Sequence, residues 1–120
     1  MPTEMFQLIP EGAVNIIELA LPEPLDSNYF GELNDALSKV FIDAGAKRWI
    51  IDLSQVSYMG SSALGLMVNL RQQIRQRGGH VVLCALSPRL LNIFHTCCLE
   101  RLFTIVKTRE EARRELKHAR

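Results

Sequence analysis

The chain has 120 residues, of which 48% are hydrophobic and 22% are charged, and its formal net charge is +1. That length and hydrophobic content predict one packed domain over residues 1–120, and the balanced charge disfavours nucleic-acid partners, which select a clustered basic face. No apolar run approaches the roughly 18 residues of a membrane span, and no signal-peptide pattern opens the sequence, so we expect no membrane insertion and a cytoplasmic location.

Two strands are predicted before the first helix, over residues 5–9 and 14–21. The sequence Pro10-Glu11-Gly12 between them is a turn signal, which predicts a hairpin. Both segments are apolar on more than one face, so we expect helices to cover both strands.

The first helix is predicted to begin at a cap provided by Asp26 or Ser27 and to end at Gly45. Pro22 and Pro24 separate it from the hairpin, because proline cannot donate to a strand ladder. One face of this helix carries the apolar residues Phe30, Leu33, Leu37, Val40 and Ala44.

The centre of the chain predicts a strand, a turn and a second helix. The strand covers residues 49–53, with Asp52 at its end, and the helix begins at Ser61 and Ser62 and ends at Gly78-Gly79. Its apolar face is formed by Ala63, Met67, Leu70 and Ile74. Backbone N–H groups and the helix dipole favour an anion at such a helix start, so a phosphate on either serine would be stabilised there.

The remaining sequence alternates strands and helices. A strand over 80–85 precedes a helix that Ser87-Pro88 begins, and a strand over 103–106 precedes a last helix with a capping box at Thr108. The third helix is predicted to face inward through Leu90, Leu91, Phe94 and either Cys97 or Cys98. The order of elements predicts an α/β fold: a small mixed sheet, made of the hairpin and parallel strands, packed against helices.

The potential ligand residues do not indicate a metal or a cofactor. Cys84 lies in an apolar strand and is predicted to be a core residue, and three cysteines do not form a disulfide framework. Cys97 and Cys98 have His95 nearby, but zinc sites favour spaced pairs of ligands. No glycine-rich phosphate loop with a lysine is present. The basic groups Arg71, Arg75, Arg77 and Arg113, Arg114, Lys117 are interpreted as solvated helix ends.

The central segment resembles the signature of the STAS domain, and within it the bacterial anti-sigma-factor antagonists. The matching residues are Asp52-Leu53-Ser54, Val56, Met59 and Gly60-Ser61-Ser62-Ala63-Leu64-Gly65. The resemblance extends to Leu25-Asp26 and to the Ser87-Pro88 helix start. The chain departs from the family at two positions, since the family has Asp where Gly60 stands and Gly where Ala63 stands.

The resemblance implies a regulator of transcription that acts by binding a protein partner. In the family, the residue that corresponds to Ser61 is phosphorylated by a serine kinase that is also the anti-sigma factor, and phosphorylation switches binding off. Ser62 is a secondary candidate acceptor, and a phosphatase is a second candidate partner. The residues expected to contact the partner are Asp26, Asp52, Met59, Gly60, Ser61, Ser62 and Leu64.

Several alternatives stay open from the residues themselves. Both serines can be simple helix caps, and Asp26 can be a cap rather than part of a partner-binding loop. Asp52 is either a turn-forming carboxylate that accepts loop N–H groups or a recognition residue beside Ser61. A further alternative is a constitutive STAS docking or scaffold subunit, in a signalling complex or beside a transporter, that is never phosphorylated.

A serine between a strand and a helix is also typical of hydrolases with a nucleophile elbow. The pattern Gly-x-Ser-x-Gly is absent around Ser61, and none of His80, His95 and His118 falls where a triad histidine would follow an apolar strand. We therefore predict that the protein is not an enzyme.

Overall fold

The computed structural model describes residues 5–21, 27–45 and 47–118, with the side chains of the first helix described from residue 29 onward. The elements in chain order are β1 (Phe6–Glu11), β2 (Val14–Leu19), α1 (Ser27–Ala44), β3 (Arg48–Asp52), α2 (Ser61–Gln76), β4 (His80–Cys84), α3 (Pro88–Thr96), a 3₁₀ turn (Leu99–Arg101), β5 (Thr104–Val106) and α4 (Arg109–Lys117). The proposed caps of α1 include Asp26, which lies outside the described residues.

The five strands form one mixed sheet in the order β1-β2-β3-β4-β5. β1 and β2 pair antiparallel as a hairpin, and every later neighbouring pair is parallel. Parallel neighbours need a crossover connection, and α1, α2 and the α3 segment supply the three crossovers. The predicted α/β fold is therefore confirmed, and the carboxyl ends of β3 and β4 lie at the same edge of the sheet.

Both faces of the sheet are packed, and neighbouring residues on a strand point to opposite faces. On one face Ile17 and Ile51 pack with the apolar sides of α1, α2 and α3, while on the other Ile16 and Ile50 pack with α4. Trp49 fills the larger core, with its ring centroid 4.8 Å from that of Phe41 in an edge-to-face contact. Such continuous apolar strands are expected where helices cover both faces of a parallel sheet.

The apolar face of α2 is confirmed, because all four predicted residues are buried and Leu66 joins them. In α1, Leu33 and Leu37 are buried as predicted, but Ala44 is exposed and Phe41 takes the inward position near the end of the helix. Gly45 follows α1 with a positive φ of 66°, which a glycine adopts at low cost just after a helix.

The expectation that helices cover both strands of the hairpin is wrong for β1. β2 is largely buried, whereas four of the six residues of β1 are exposed. β1 is an edge strand that pairs only with β2, so the helices that pack on the central strands leave most of it to solvent. Phe6 and Ile9 are the exceptions, since Phe6 packs against the larger core and Ile9 against the core on the α4 side.

The inward face predicted for α3 is partly wrong. Leu90 and Phe94 are buried, but Leu91, Cys97 and Cys98 are exposed. The helix ends at Thr96, and Cys98 has a left-handed backbone with φ of 60°, so the chain turns away before either cysteine can face the core. The start of α3 is as predicted: the Ser87 hydroxyl accepts the N–H of Leu90 at 3.1 Å, and Pro88 is the first helical residue.

Two smaller predictions are confirmed. The Thr108 hydroxyl accepts the N–H of Glu111 at 3.1 Å and caps α4. Cys84 is fully buried on the α4 side of the sheet, and burial raises the pKa of its thiol to about 12. This cysteine is therefore a packing residue that stays protonated at neutral pH.

The turn from α2 into β4 depends on a glycine. A Cβ on Gly79 would lie 2.8 Å from the carbonyl oxygen of Lys47 and 2.9 Å from a methyl group of Ile74. Both neighbours are held, since Lys47 leads into β3 and Ile74 is buried in the core. At Gly65, on the exposed side of α2, nothing lies within 4 Å of an added Cβ.

We expect Gly79→Ala to lower the free energy of unfolding by about 1–3 kcal/mol, because the methyl group must displace backbone atoms. Gly65→Ala is the matched control and should raise it by roughly 0.5–1 kcal/mol, because alanine is the better helix former. Urea denaturation of both variants and the parent measures the difference. Equal stability of the two variants would contradict the close approach at Gly79.

Candidate functional site

The turn between β3 and α2 is held by two buried side chains. Val56 and Met59 are each 2% exposed and belong to the larger core, while Ser57 and Tyr58 between them are exposed. The N–H of Val56 donates to the carbonyl of Leu53 at 3.0 Å, which closes the first part of the turn. These two buried side chains therefore anchor the turn to the core, while Ser57 and Tyr58 face solvent.

The helix that follows begins with an unusual cap. Gly60 is the N-cap of α2, with φ of −85° and ψ of −173°, and no side chain caps the helix. Ser61 and Ser62 are the first two helical residues, so the interpretation of the serines as caps is wrong. An N-cap requires the extended backbone that Gly60 adopts, and both serines already have helical backbone. Both side chains are exposed.

A shallow groove lies beside Ser61, between the start of α2 and the exposed side of α3. Its volume is about 450 Å³. We call it the α2–α3 groove, and its lining residues are Tyr58, Met59, Gly60, Ser61, Leu64, Asn92, Ile93, Thr96 and Cys97. Arg89, in the first turn of α3, lies over the Tyr58 ring with its guanidinium carbon 4.9 Å from the ring centroid. The groove thus combines apolar surface with the exposed hydroxyl of Ser61.

The groove forms at this edge because of the sheet topology. β3 and β4 are parallel, so the helices that follow them both begin near their carboxyl ends. The Ser87-Pro88 signal could have located the start of α3 beside the serines, but the groove residues on α3, such as Ile93 and Thr96, carry no sequence signal of their own. They were not among the predicted site residues.

Asp52 occupies a different environment from Ser61. It is buried on the α4 face of the sheet, and one carboxylate oxygen accepts the N–H of Ser54 at 2.8 Å. The other oxygen accepts Nε of Arg109 at 2.6 Å, and the same guanidinium reaches Glu18 at 2.5 Å. The guanidinium of Arg109 therefore links the ends of two neighbouring strands to the first turn of α4.

The charge state of Asp52 follows from these contacts. Burial alone would raise the pKa of the carboxyl, but the hydrogen bonds from Ser54 and from Arg109 outweigh burial and leave the pKa below its usual value. The hydrogen bond to Asp52 likewise raises the pKa of Arg109. The acceptance of a loop N–H agrees with the turn-forming interpretation of Asp52.

The predicted site residues thus fall into three groups. Ser61 and Ser62 are exposed, and Gly60 and Leu64 are half-buried at the same place. Asp52 and Met59 are buried, although Met59 also lines the α2–α3 groove, while Asp26 lies outside the described residues. Among the residues with described positions, no group of three potential ligand side chains could hold a metal ion, and no helix is long and apolar enough to cross a membrane.

We expect Asp52→Asn to lower the free energy of unfolding at pH 7 by about 1.5–3 kcal/mol, since hydrogen bonds to charged groups contribute this much. A lowered carboxyl pKa stabilises the fold above the unperturbed value of 3.8, and this contribution is lost as pH falls through the lower folded-state value. The difference in the free energy of unfolding between the parent and Asp52→Asn should therefore shrink below pH 3.8. Urea denaturation at a series of pH values measures it.

The matched control is Arg113→Gln, since Arg113 is on the same helix as Arg109 and its removal breaks only the exposed pair with Glu11 of β1. Exposed ion pairs contribute about 0–1 kcal/mol to stability, so at neutral pH Arg113→Gln should lower the free energy of unfolding less than Asp52→Asn does. A pH-independent difference between the parent and Asp52→Asn would contradict the described role of the carboxylate.

Known proteins of similar sequence match between about half and two thirds of the chain. The anti-sigma-B factor antagonist of Listeria monocytogenes is 42% identical over 55 residues, which cover 46% of this chain and 48% of that protein. The match thus spans about half of either protein. This match shows that the two proteins are similar in sequence over that length.

Solved structures match nearly the whole fold. A Thermotoga maritima protein provisionally described as an anti-sigma factor antagonist superposes with a TM-score of 0.84 at 22% identity, covering 98% of each chain. The Bacillus cell fate determinant SpoIIAA in its phosphorylated form superposes with a TM-score of 0.65 at 22% identity, covering 92% of this chain and 97% of that one. The STAS domain model matches residues 8–112. The chain therefore belongs to the STAS domain family and has the fold of the anti-sigma-factor antagonists.

Proposed function

We propose that this chain is an anti-sigma-factor antagonist that binds a serine kinase acting as an anti-sigma factor, and that phosphorylation of Ser61 switches this binding off. The observation that supports the proposal best is the position of Ser61, exposed as the first residue of α2 at the side of the α2–α3 groove. The protein acts in the cytoplasm, and a phosphatase restores its active form.

The start of α2 can accept a phosphate without refolding. A phosphoserine carries about −1.5 to −2 charges at pH 7, and a negative charge at a helix start gains about 0.3–1 kcal/mol. Gly60 has no side chain, so the N-cap residue itself supplies no acceptor for the N–H groups of the first turn. A phosphate on Ser61 would take the place that a capping side chain has in other helices.

The same phosphate would oppose a partner that covers Ser61. A buried charge without a counter-charge costs several kcal/mol, and each 1.4 kcal/mol weakens binding about tenfold. A surface complementary to the neutral hydroxyl would therefore lose most of its affinity. One modification can thus control association while the antagonist keeps its fold.

The α2–α3 groove provides an apolar surface to which the partner would bind. Tyr58 and Leu64 on one side and Ile93 on the other provide partly exposed apolar surface around Ser61. Arg89 and Tyr58 are residue types that often contribute most of the binding energy at protein interfaces, and here they are in contact. Asp52 and Met59, which are buried, would contribute indirectly by holding the turn that presents this surface.

An enzymatic function has less support. None of the three histidines lines the α2–α3 groove: His80 and His118 line a separate cleft, and His95 pairs with Glu100 at 2.7 Å. Ser61 therefore has no histidine in position to act as its base. This agrees with a family that regulates through binding.

The alternative is a docking subunit that is never phosphorylated. It is favoured by Gly60, which stands where family members carry an aspartate that a kinase could recognise. The two functions predict different behaviour for Ser61, because a scaffold would bind its partner in the same way whether or not the serine is changed.

Intact-mass analysis of the protein purified from its native host should show a fraction heavier by one phosphate, and phosphatase treatment should remove it. Ser61→Ala should abolish the heavier species, because the acceptor oxygen is gone, whereas Ser62→Ala should retain it. A heavier species that persists in Ser61→Ala and disappears in Ser62→Ala would move the acceptor to the next residue. An unmodified protein under every growth condition tested would favour the scaffold.

Ser61→Asp should weaken binding to the anti-sigma-factor kinase of the same host at least tenfold, because the carboxylate would be buried without a counter-charge. Ser61→Ala should bind at least as tightly as the parent and should no longer respond to ATP. Isothermal titration calorimetry measures both. Gln76→Glu, which adds the same charge at the exposed far end of α2, is the control and should bind like the parent. Equal affinity of Ser61→Asp and the control would contradict the switch.

A further inference from the structure

A second cleft lies at the opposite end of α2 from Ser61. It forms where the last turns of α2, the start of β4 and the end of α4 meet, and its volume is about 290 Å³. Arg75 is 14 helical steps from Ser61, which puts the cleft about 21 Å along the helix from the proposed phosphorylation site. We call it the basic cleft, and its polar lining consists of Arg71, Arg75, His80, Thr104, Glu115 and His118.

The lining of this cleft carries an excess of positive charge. Arg71 and Arg75 are one helical turn apart on α2, and Glu115 is the single carboxylate that faces them among the lining residues. Neither arginine forms an ion pair with a carboxylate in the part of the chain that the structure describes. His118, just after α4, adds another hydrogen-bonding side chain to the lining.

The position of one arginine is fixed. Nε of Arg71 donates to the carbonyl oxygen of Leu102 at 2.6 Å, just before β5 begins. This bond holds one side of the guanidinium and leaves its two terminal nitrogens for another acceptor. Arg71 is half-buried, so the side chain has already lost part of its freedom before any ligand arrives.

Two other arginines near the sheet form ion pairs with carboxylates, unlike Arg71 and Arg75. Arg109 is engaged by Asp52 and Glu18, and Arg113 by Glu11. Their charges are therefore compensated within the fold. In the basic cleft, two arginines share one wall without that compensation, which is an arrangement that favours an added anion.

We propose that the basic cleft binds a small phosphate-bearing molecule. The planar guanidinium group forms paired hydrogen bonds to phosphate oxygens, and two such groups suit a ligand with more than one negative charge. The hydroxyl of Thr104 adds a further hydrogen-bond donor to the lining. The cleft is slightly smaller than the usual range of ligand pockets, about 300–1,000 Å³, which favours a compact ligand.

The remaining lining residues fit the rest of such a ligand. Leu102 and Leu116 contribute apolar surface, which can contact the part of the molecule that carries the phosphate. Glu115 can accept hydrogen bonds from ligand hydroxyl groups while it repels a further phosphate at its own end of the cleft. The ligand class is therefore a small phosphorylated compound with hydroxyl groups.

Titration with pyrophosphate tests the site, because this compact ion carries two linked phosphates and no other recognition group. We expect saturable one-site binding in isothermal titration calorimetry, with NMR shifts at the amides of residues 80–82 and 104. The double variant Arg71→Gln/Arg75→Gln should bind at least tenfold more weakly. Lys39→Gln/Arg114→Gln removes the same charge from exposed positions outside the cleft and should bind like the parent.

An equal loss in both double variants would overturn the proposal, because the effect would then come from net charge alone. Absence of saturable binding, or shifts confined to the start of α2, would overturn it as well. Circular dichroism and urea denaturation show whether each variant is folded. If Arg71→Gln/Arg75→Gln is unfolded, the single variant Arg75→Gln replaces it, since Arg75 makes no described contact with Leu102, and it should still bind at least threefold more weakly.

Discussion

The parallel alignment of β3 and β4 is the constraint on which the arrangement of this molecule depends. Each strand ends at the same edge of the sheet, and each is followed by a helix that must begin there to pack back on the core. The serine of α2 and the apolar side of α3 become neighbours for this reason. The same alignment separates the two ends of α2, so that its first turn faces one surface and its last turns another.

The large features of the fold followed from the sequence because they depend on local patterns. The apolar stripe of α2, the Ser87-Pro88 start of α3 and the cap at Thr108 each involve residues within a few positions of one another, and all were predicted. The exposure of β1 was missed because an edge position is a property of the whole sheet. The direction of Cys97 and Cys98 was missed because α3 ends at Thr96, just before the two cysteines, and the backbone then turns at Cys98.

Some features of the candidate site could be predicted from the sequence, and others could not. Ser61 could be found from the family signature and the strand-to-helix pattern, and its exposure agrees with that interpretation. The partner of Asp52 could not be found, since Arg109 is 57 residues away and no local pattern pairs them. The basic cleft was also invisible, because Arg71 and Arg75 read as a solvated helix end until the end of α4 is placed beside them.

The buried anchors of the β3–α2 turn have a consequence for the kinetics and thermodynamics of association. Val56 and Met59 hold the turn against the core in the free protein, so its backbone has little conformational entropy left to lose when a partner arrives. A partner that docks on this turn would meet a rigid surface, and most of the interaction energy would remain available as affinity. A protein with such a preformed surface can exchange partners quickly, because no segment has to order before contact or disorder after release.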